Sequence, residues 1–381
     1  MARFLTTLHD RLRVLDACGL GRTVLPVEDR HGPMVRVDGK WLVDFSSNDI
    51  LGIARDPDLA ARIWNAVRPR RLGAGAARLV SGQSPELDEA EAALAAWCGA
   101  PDALLFPSAT QANAAVASLF QGDDLVAVDK RVHGSILHGL SASRAQVRSF
   151  GHNRLPHLAR ILASAPVAAV WSESLFSMDG DSPDIPAMAQ CCREHGALLV
   201  LDEAHAVGVL GAHGKGLGEG YAPVRTVGLG KALGLVGGAV LGPPEVRRAL
   251  LHLAPSAMFT TALPPWMGTL ITTVIHEVRQ QEERRRQVAH LADLARRLFQ
   301  GLGVPVLGTH HILAVVLGSE TRAAKVAWRL RDFGFLVFAA RYPTVPLGAA
   351  RLRVVVTAQH TEEHLHQLAS AIAQALHDLT E

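Results

Sequence analysis

ALLVLDEAHAVGVLGAHGKG, residues 197–216, reads as an apolar strand that runs straight into Asp202, Glu203 and His205. A short uncharged run bounded by turn residues fits a strand buried on both faces, as in a parallel sheet covered by helices. Similar apolar runs lie at 103–106, 125–128, 167–171, 226–229 and 239–241, and helical patterns at 85–97, 109–120, 155–163 and 185–195 fall between them. Strand and helix in repetition give an α/β class with a mostly parallel sheet. Open sheets of this kind bind ligands at the carboxyl ends of their strands, where Asp202 stands.

The flanks differ. Residues 1–20 have the apolar spacing of an amphipathic helix, with Phe4, Leu5, Leu8, Leu12 and Leu15 on one side. Strands at 34–37 and 41–44 are joined by Asp38-Gly39, a good hairpin turn because glycine accepts positive φ. Beyond about residue 265 a long helical stretch at 266–302 leads to strands at 312–317, 336–338 and 352–356 and helices at 322–333 and 361–379, a smaller α+β domain. The boundaries are therefore 1–45 for the N-terminal helix and hairpin, 46–265 for the large domain, and 266–381 for the connecting helix and small domain.

Composition narrows the function classes. In 381 residues, 49% are hydrophobic and 19% charged, enough for a sizeable core. Lysine plus arginine total 38 against 36 acidic residues, so a strongly basic nucleic-acid binder and a polybasic membrane anchor are excluded. Cys18, Cys98, Cys191 and Cys192 have no paired CxxC spacing, which argues for a reducing, cytoplasmic setting. The opening MARFLTTLHDRLRVLD is too charged for a signal peptide, and no apolar run is long enough to span a bilayer.

Three motifs are set aside. His360, Glu363 and His364 have the H-x-x-E-H spacing of an inverted zinc-protease motif, but little chain follows to supply a third ligand, and no metal is expected. The glycines at 228, 230 and 234 are one residue too widely spaced for a dinucleotide loop and precede a strand instead of a helix, which disfavours a nicotinamide dehydrogenase. Gly214-Lys215 lacks the earlier glycine of a Walker loop.

Lys231, in VGLGKALGLVGGAVLG at 227–242, sits among glycines and apolar residues between two strands. A desolvated lysine is a usable amine nucleophile, although an ordinary loop lysine reads the same way in isolation. A buried Asp202 needs a cationic partner such as a protonated pyridine nitrogen, although a turn cap also explains it, with His205 then a surface residue. The two together, in this order, resemble the fold-type I pyridoxal-phosphate enzymes.

Further motifs sharpen the resemblance. FSSNDILG at 45–52, GAGAARLVSG at 73–82, FPSATQAN at 106–113, Asp129-Lys130 with His133-Gly-Ser135, His152-Asn153, Glu173 with FSMDGD at 176–181, Asp202 to Gly208, and PTVPLGAARLR at 343–353 occur in order. Each is similar to a motif of the α-oxoamine synthases, and the chain is identified as a member of that family over roughly residues 40–360.

The resemblance implies a large domain with a mostly parallel seven-stranded sheet, a smaller α+β C-terminal domain, and a homodimer with a shared active site. It implies that Lys231 carries pyridoxal 5'-phosphate on its amine and moves the substrate α-proton, while Asp202 keeps the ring nitrogen protonated. His133 would stack on the ring near the acyl carbonyl, and His205 would reach the ring hydroxyl oxygen. Glu173 and Asn48 would hydrogen-bond near the ring and substrate. Ser108, Ala109 and Thr110 would open a helix whose amides suit the phosphate. Ser177 would orient the cofactor, and Thr260 and Thr261 would reach the neighbouring subunit's phosphate. Arg351 would clamp the amino-acid carboxylate with a guanidinium fork, and Arg22 and Thr344 would contact the acyl substrate.

The implied reaction is a decarboxylating condensation of a small amino acid with an acyl-CoA or acyl-carrier-protein thioester. The P-T-V-P ending and overall length point to the branch that joins L-alanine to a pimeloyl thioester in biotin biosynthesis. Departures from the family pattern are Gly228 in place of a hydroxyl residue, Ile50 in place of tyrosine, Ala109 in place of glycine and Ala77 in place of serine. Thr226 substitutes for the missing hydroxyl only if its loop is rearranged. A glycine C-acetyltransferase, another natural-product member of the family, and an inactive scaffold retaining the fold are the alternatives.

Overall fold

A computed structural model describes residues 2–67, 69 and 71–379. The chain divides into two compact units, one of residues 48–177 and 182–286, the other of 1–47, 178–181 and 287–381. The sequence boundaries at 45/46 and 265/266 differ from these: residues 266–286 lie in the large unit, and the N-terminal hairpin lies in the small one.

The large unit is built on a seven-stranded sheet. Its spatial order is Asp102–Phe106, Gly238–Gly242, Val224–Gly228, Leu198–Asp202, Ala169–Glu173, Leu125–Asp129 and Gln146–Phe150. Gly238–Gly242 is antiparallel to both neighbours, and the remaining pairs are parallel. Alternate side chains serve two cores. Ala169, Trp171 and Val200 pack on one face with Phe106 and Val116, while Val170, Leu199 and Leu201 pack on the other with Phe150 and Met188. This two-sided burial is why the central strands read as continuous apolar runs. Gln146–Phe150 carries no such run, because as an edge strand it exposes all but Phe150; the sequence reading passes over it.

The expected helix at 266–302 is two helices, Pro265–Arg279 and Glu282–Gln300. Arg285, 6% exposed, explains the break. Its guanidinium donates to the carbonyls of Val278 at 2.9 Å and Arg279 at 3.0 Å, capping the first helix. Local propensity is helical throughout, and the stop is marked by these side-chain caps, with Gln281 also donating to the Glu277 carbonyl at 3.2 Å. The expected helix at 109–120 ends at Ala117.

The small unit holds two four-stranded sheets. One runs Val306–Leu307, Ile312–Gly318, Ala350–Val355, Phe338–Ala340, and the other Asp29–His31, Met34–Val37, Lys40–Asp44, Phe335–Leu336. The strand expected at 336–338 is thus two short strands, one in each sheet. Asp38 (φ 49°) and Gly39 (φ 73°) form the hairpin turn with left-handed backbone, as the dipeptide predicts. The helix at the chain start runs Ala2–Ala17, and Phe4, Leu5, Leu8, Leu12 and Leu15 on it are exposed. Met1, Thr380 and Glu381 lie outside the described residues. The H-x-x-E-H histidines serve backbone geometry. Buried His360 stacks on Phe45 with ring centroids 4.0 Å apart and accepts from the Thr357 N–H, and His364 closes a capping box with Thr361.

Glu91 ties three elements of the large unit together. It is 3% exposed, accepts from the Leu105 N–H at 2.9 Å, and pairs with Arg78 at 2.7 Å and Arg247 at 3.1 Å. Removing one member of a buried ionic cluster strands the others. Glu91→Ala is expected to lower stability by about 3–5 kcal/mol, measured by urea denaturation of the purified protein.

Candidate active site

Four adjacent parallel strands end side by side in Gly228, Asp202, Glu173 and Asp129. Glu173 and Asp202 are direct cross-strand partners. Three buried carboxyl groups in a row repel one another, so each needs donors or a proton. Asp129 accepts from the N–H groups of Arg131 and Asn153, both at 2.8 Å, and pairs with His152 Nδ1 at 3.0 Å. Asp202 accepts from the Ala204 N–H at 2.9 Å and from Asn113 Nδ2 at 2.8 Å.

Glu173 is the least satisfied. Its Oε1 is buried with no hydrogen-bond partner among the described residues. Burial first, and then the Asp202 charge, hold its carboxyl well above the ordinary carboxylate range, while the Lys231 charge and the His133 N–H pull the other way.

Lys231 is half-buried in the turn between Val224–Gly228 and Gly238–Gly242. Two glycines let this turn pack. A Cβ on Gly234 (φ 66°) would lie 2.7 Å from Ala54 N, and one on Gly208 (φ 93°) would lie 2.7 Å from Ala232 Cβ. Only glycine combines positive φ with approaches that close.

Beside this turn begins the helix Ala109–Ala117, capped by Ser108 Oγ accepting from the Gln111 N–H at 3.1 Å. A Cβ on Gly238 would lie 2.5 Å from Ala109 N and Cα, so the bare glycine brings the helix start onto the sheet. Gly228 faces the same place, 3.7 Å from Ala109 Cβ to a built Cβ. Thr226 does not stand in for the missing hydroxyl there: it is fully buried and donates to Asn113 Oδ1 at 2.6 Å.

The other expected residues of this unit take definite places. His133 is exposed, caps the helix Gly134–Ser143, and lies 2.7 Å from Ser135 Oγ through Nδ1. His205 is buried on the loop after Asp202, and Ser177 is half-buried beyond Glu173. Asn48 is half-buried, and Ile50, where the family pattern has tyrosine, is a core residue at 2% exposure. Thr261 forms an isolated antiparallel bridge with Ala77. Thr110 and Thr261 are exposed, Thr260 and Ala109 half-buried.

Arg22, Thr344 and Arg351 belong to the small unit. Arg22 donates to Thr344 Oγ1 at 3.2 Å. Arg351 is buried, donates from Nε to the Ala349 carbonyl at 3.0 Å, and pairs with Asp179.

Asn113 and Ser135 are site residues that role-by-role reading passed over. Each closes a motif quoted above, FPSATQAN and H-x-S, and that position is the signal that marks them. A group with a cationic ring nitrogen and an anionic tail fits what is present: the carboxyl pair at the strand ends, the unpartnered Glu173 oxygen, and the glycine-lined helix start. Of the four cysteines, all are free thiols; burial pushes Cys98 and Cys192 up to about 12, so neither offers a thiolate.

The Glu173 shift has a pH signature. A carboxyl whose folded pKa is raised binds its proton more tightly when folded, so stability falls as pH rises from the ordinary carboxylate range through the folded pKa. In cofactor-free protein Glu173→Gln is therefore expected to be more stable than the parent at pH 8, with the difference shrinking at pH 5, measured by denaturation at both values.

Comparison with known proteins agrees with this geometry. Residues 40–372 match the model of the aminotransferase class I and II family. An 8-amino-7-oxononanoate synthase from Anaeromyxobacter sp. (strain K) is 40% identical over 380 residues, 97% of this chain and 95% of that protein. Another from Gluconacetobacter diazotrophicus is 39% identical, covering 98% of each. A serine palmitoyltransferase from S. paucimobilis, solved with PLP and myriocin bound, superposes with a TM-score of 0.90 at 26% identity, covering 98% of each chain. Among the described residues no helix is long and apolar enough to cross a membrane. The chain belongs to the aminotransferase class I and II family and, within it, to the α-oxoamine synthases, whose cofactor, pyridoxal phosphate, is also its own.

Proposed function

We propose that the protein condenses L-alanine with a pimeloyl thioester, on coenzyme A or a carrier protein, giving 8-amino-7-oxononanoate, carbon dioxide and the free thiol, a step of biotin biosynthesis. The reading is carried by one observation: strand-end Glu173, the direct cross-strand partner of Asp202, stands within electrostatic reach of Lys231. Near-full-length similarity to 8-amino-7-oxononanoate synthases supports the substrate pair.

Bound pyridoxal phosphate supplies an electron sink for a carbanion formed beside an amino group. The chain's residues do the rest. Ser108, Ala109 and Thr110 offer helix-start amides and hydroxyls to the phosphate. Asp202, held by two donors, keeps a proton on the ring nitrogen. Lys231 anchors the cofactor and then takes the α-proton of the amino acid. His133 presents its open ring face to the cofactor and a donor to the acyl carbonyl. His205, Ser177, Asn48 and Glu173 fix the ring and substrate by hydrogen bonds. For Arg351, Arg22 and Thr344, all of the small unit, the family resemblance implies contacts to the amino-acid carboxylate and the acyl group. Lone general acid–base groups contribute typically ~10²–10⁴-fold.

The reading includes a homodimer with a shared site. Exposed Leu72, Leu79, Val80 and Phe259 support a covered face there, next in sequence to Ala77, Thr260 and Thr261. A cytoplasmic location is supported by the four free thiols.

Purified protein is expected to be yellow, and Lys231→Ala to lose that absorption. In a thiol-release assay across acyl-CoAs and small amino acids, alanine with pimeloyl-CoA is expected to be fastest. Faster turnover of glycine with acetyl-CoA identifies the acetyltransferase instead, and a colourless protein that cannot be reconstituted identifies an inactive scaffold.

A further inference from the structure

The helix Ala2–Ala17 ends without a cation of its own: its last turn carries Asp16 and no basic residue. Carbonyl groups at a helix C-terminus hold partial negative charge, which favours a cation nearby. Gly19, left-handed at φ 65°, turns the chain away, and the Leu20 N–H donates back to the Leu15 carbonyl at 2.8 Å. Residues 18–28 then run to Asp29 as a strap without helix or strand. Its far half is held by packing, with Leu25 and Val27 against the cluster of Val35, Val37 and Leu42.

Its near half is held by side chains from a turn of the same unit. Arg341 donates from Nη1 to the Gly19 carbonyl and from Nη2 to the Gly21 carbonyl, the second at 3.3 Å. Donors in one rigid plane on two carbonyls fix that plane, as a lysine ammonium does not. The same guanidinium supplies the cation that the helix end lacks. The strap returns the grip through Arg22, whose Nη2 donates to Thr344 Oγ1 at 3.2 Å. Arg341 and Thr344 share one turn, since the Thr344 N–H donates to the Arg341 carbonyl at 2.9 Å. Buried Val345 roots that turn.

We propose that Arg341 is a positioning residue for the acyl thioester: by clasping Gly19 and Gly21 it seats Arg22 against Thr344 and presents the two to the acyl chain as one surface. The inference rests on the reading that Arg22 and Thr344 serve the acyl side, and it adds a residue that acts through them. Arg22 and Thr344 are both exposed. A long exposed side chain held by one hydrogen bond loses rotamer entropy for little net gain. Fixing the strap backbone beforehand removes part of that cost from the binding step.

The test uses the holoenzyme and two readouts. The first is thiol release, with pimeloyl-CoA varied at saturating L-alanine and then the reverse. Arg341→Ala is expected to raise KM for pimeloyl-CoA about 5–30-fold, the worth of one to two net hydrogen bonds, with kcat and KM for alanine within about twofold of the parent. The second is trypsin cleavage after Arg22, expected to be slowed by pimeloyl-CoA in the parent and to be faster, with less protection, in Arg341→Ala. Arg341→Lys keeps the charge without the fork and is expected to fall between the two, so it carries the test if the alanine variant does not fold. Equal rises in both KM values overturn the proposal, since general damage has no preference between substrates. A parent-like KM for pimeloyl-CoA in folded Arg341→Ala overturns it too, as does unaltered cleavage after Arg22. A parent that releases no thiol from any acyl-CoA fails the functional reading and takes the acyl role of the clasp with it, whereas an active parent with a parent-like variant fails the proposal alone.

Discussion

A carboxylate held at the end of the central strand by fixed donors is the constraint on which this molecule depends. Asp202 ends a strand buried on both faces, where an unpaired charge is expensive. Two donors, the Ala204 N–H and the Asn113 amide, keep it oriented. Its neighbour Glu173 bears the consequence: burial and the adjacent charge raise that carboxyl well above the ordinary carboxylate range.

Small residues make the rest of the site possible by letting backbones meet. Gly238 allows the start of Ala109–Ala117 to lie against the antiparallel strand, and Gly208 and Gly234 let the lysine turn settle against its neighbours. Near the helix start this chain departs from its family by losing one hydroxyl, at Gly228, and by gaining one methyl, at Ala109. The helix there starts from the Ser108 cap, and its first amides face the N-terminal end, where helices favour anions. Thr226 is instead buried and bonded to Asn113.

Much of this was legible in residue order. The central strands announce themselves as apolar runs because both faces are covered, and the Asp38-Gly39 turn follows from backbone sterics. The strand Gln146–Phe150 was not legible, because an edge strand needs no apolar signature. Nor was the break at residues 280–281, because Arg285 caps it from outside the local window. Lys231, Asp202 and His133 were recognisable by motif. Asn113 and Ser135 closed the same motifs, yet their task is invisible until the side chains are placed.

The sequence by itself determined the α/β class, the family, the cofactor and the identities of the chemical groups, since these follow from periodicity and from motif order along the chain. Tertiary structure alone decided that Glu173 has a buried oxygen with no hydrogen-bond partner among the described residues and that the Thr226 hydroxyl is bonded to Asn113. The physical reason is that proton placement depends on which donors and acceptors meet at about 3 Å, and those meetings join residues as far apart in the chain as Asn113 and Thr226.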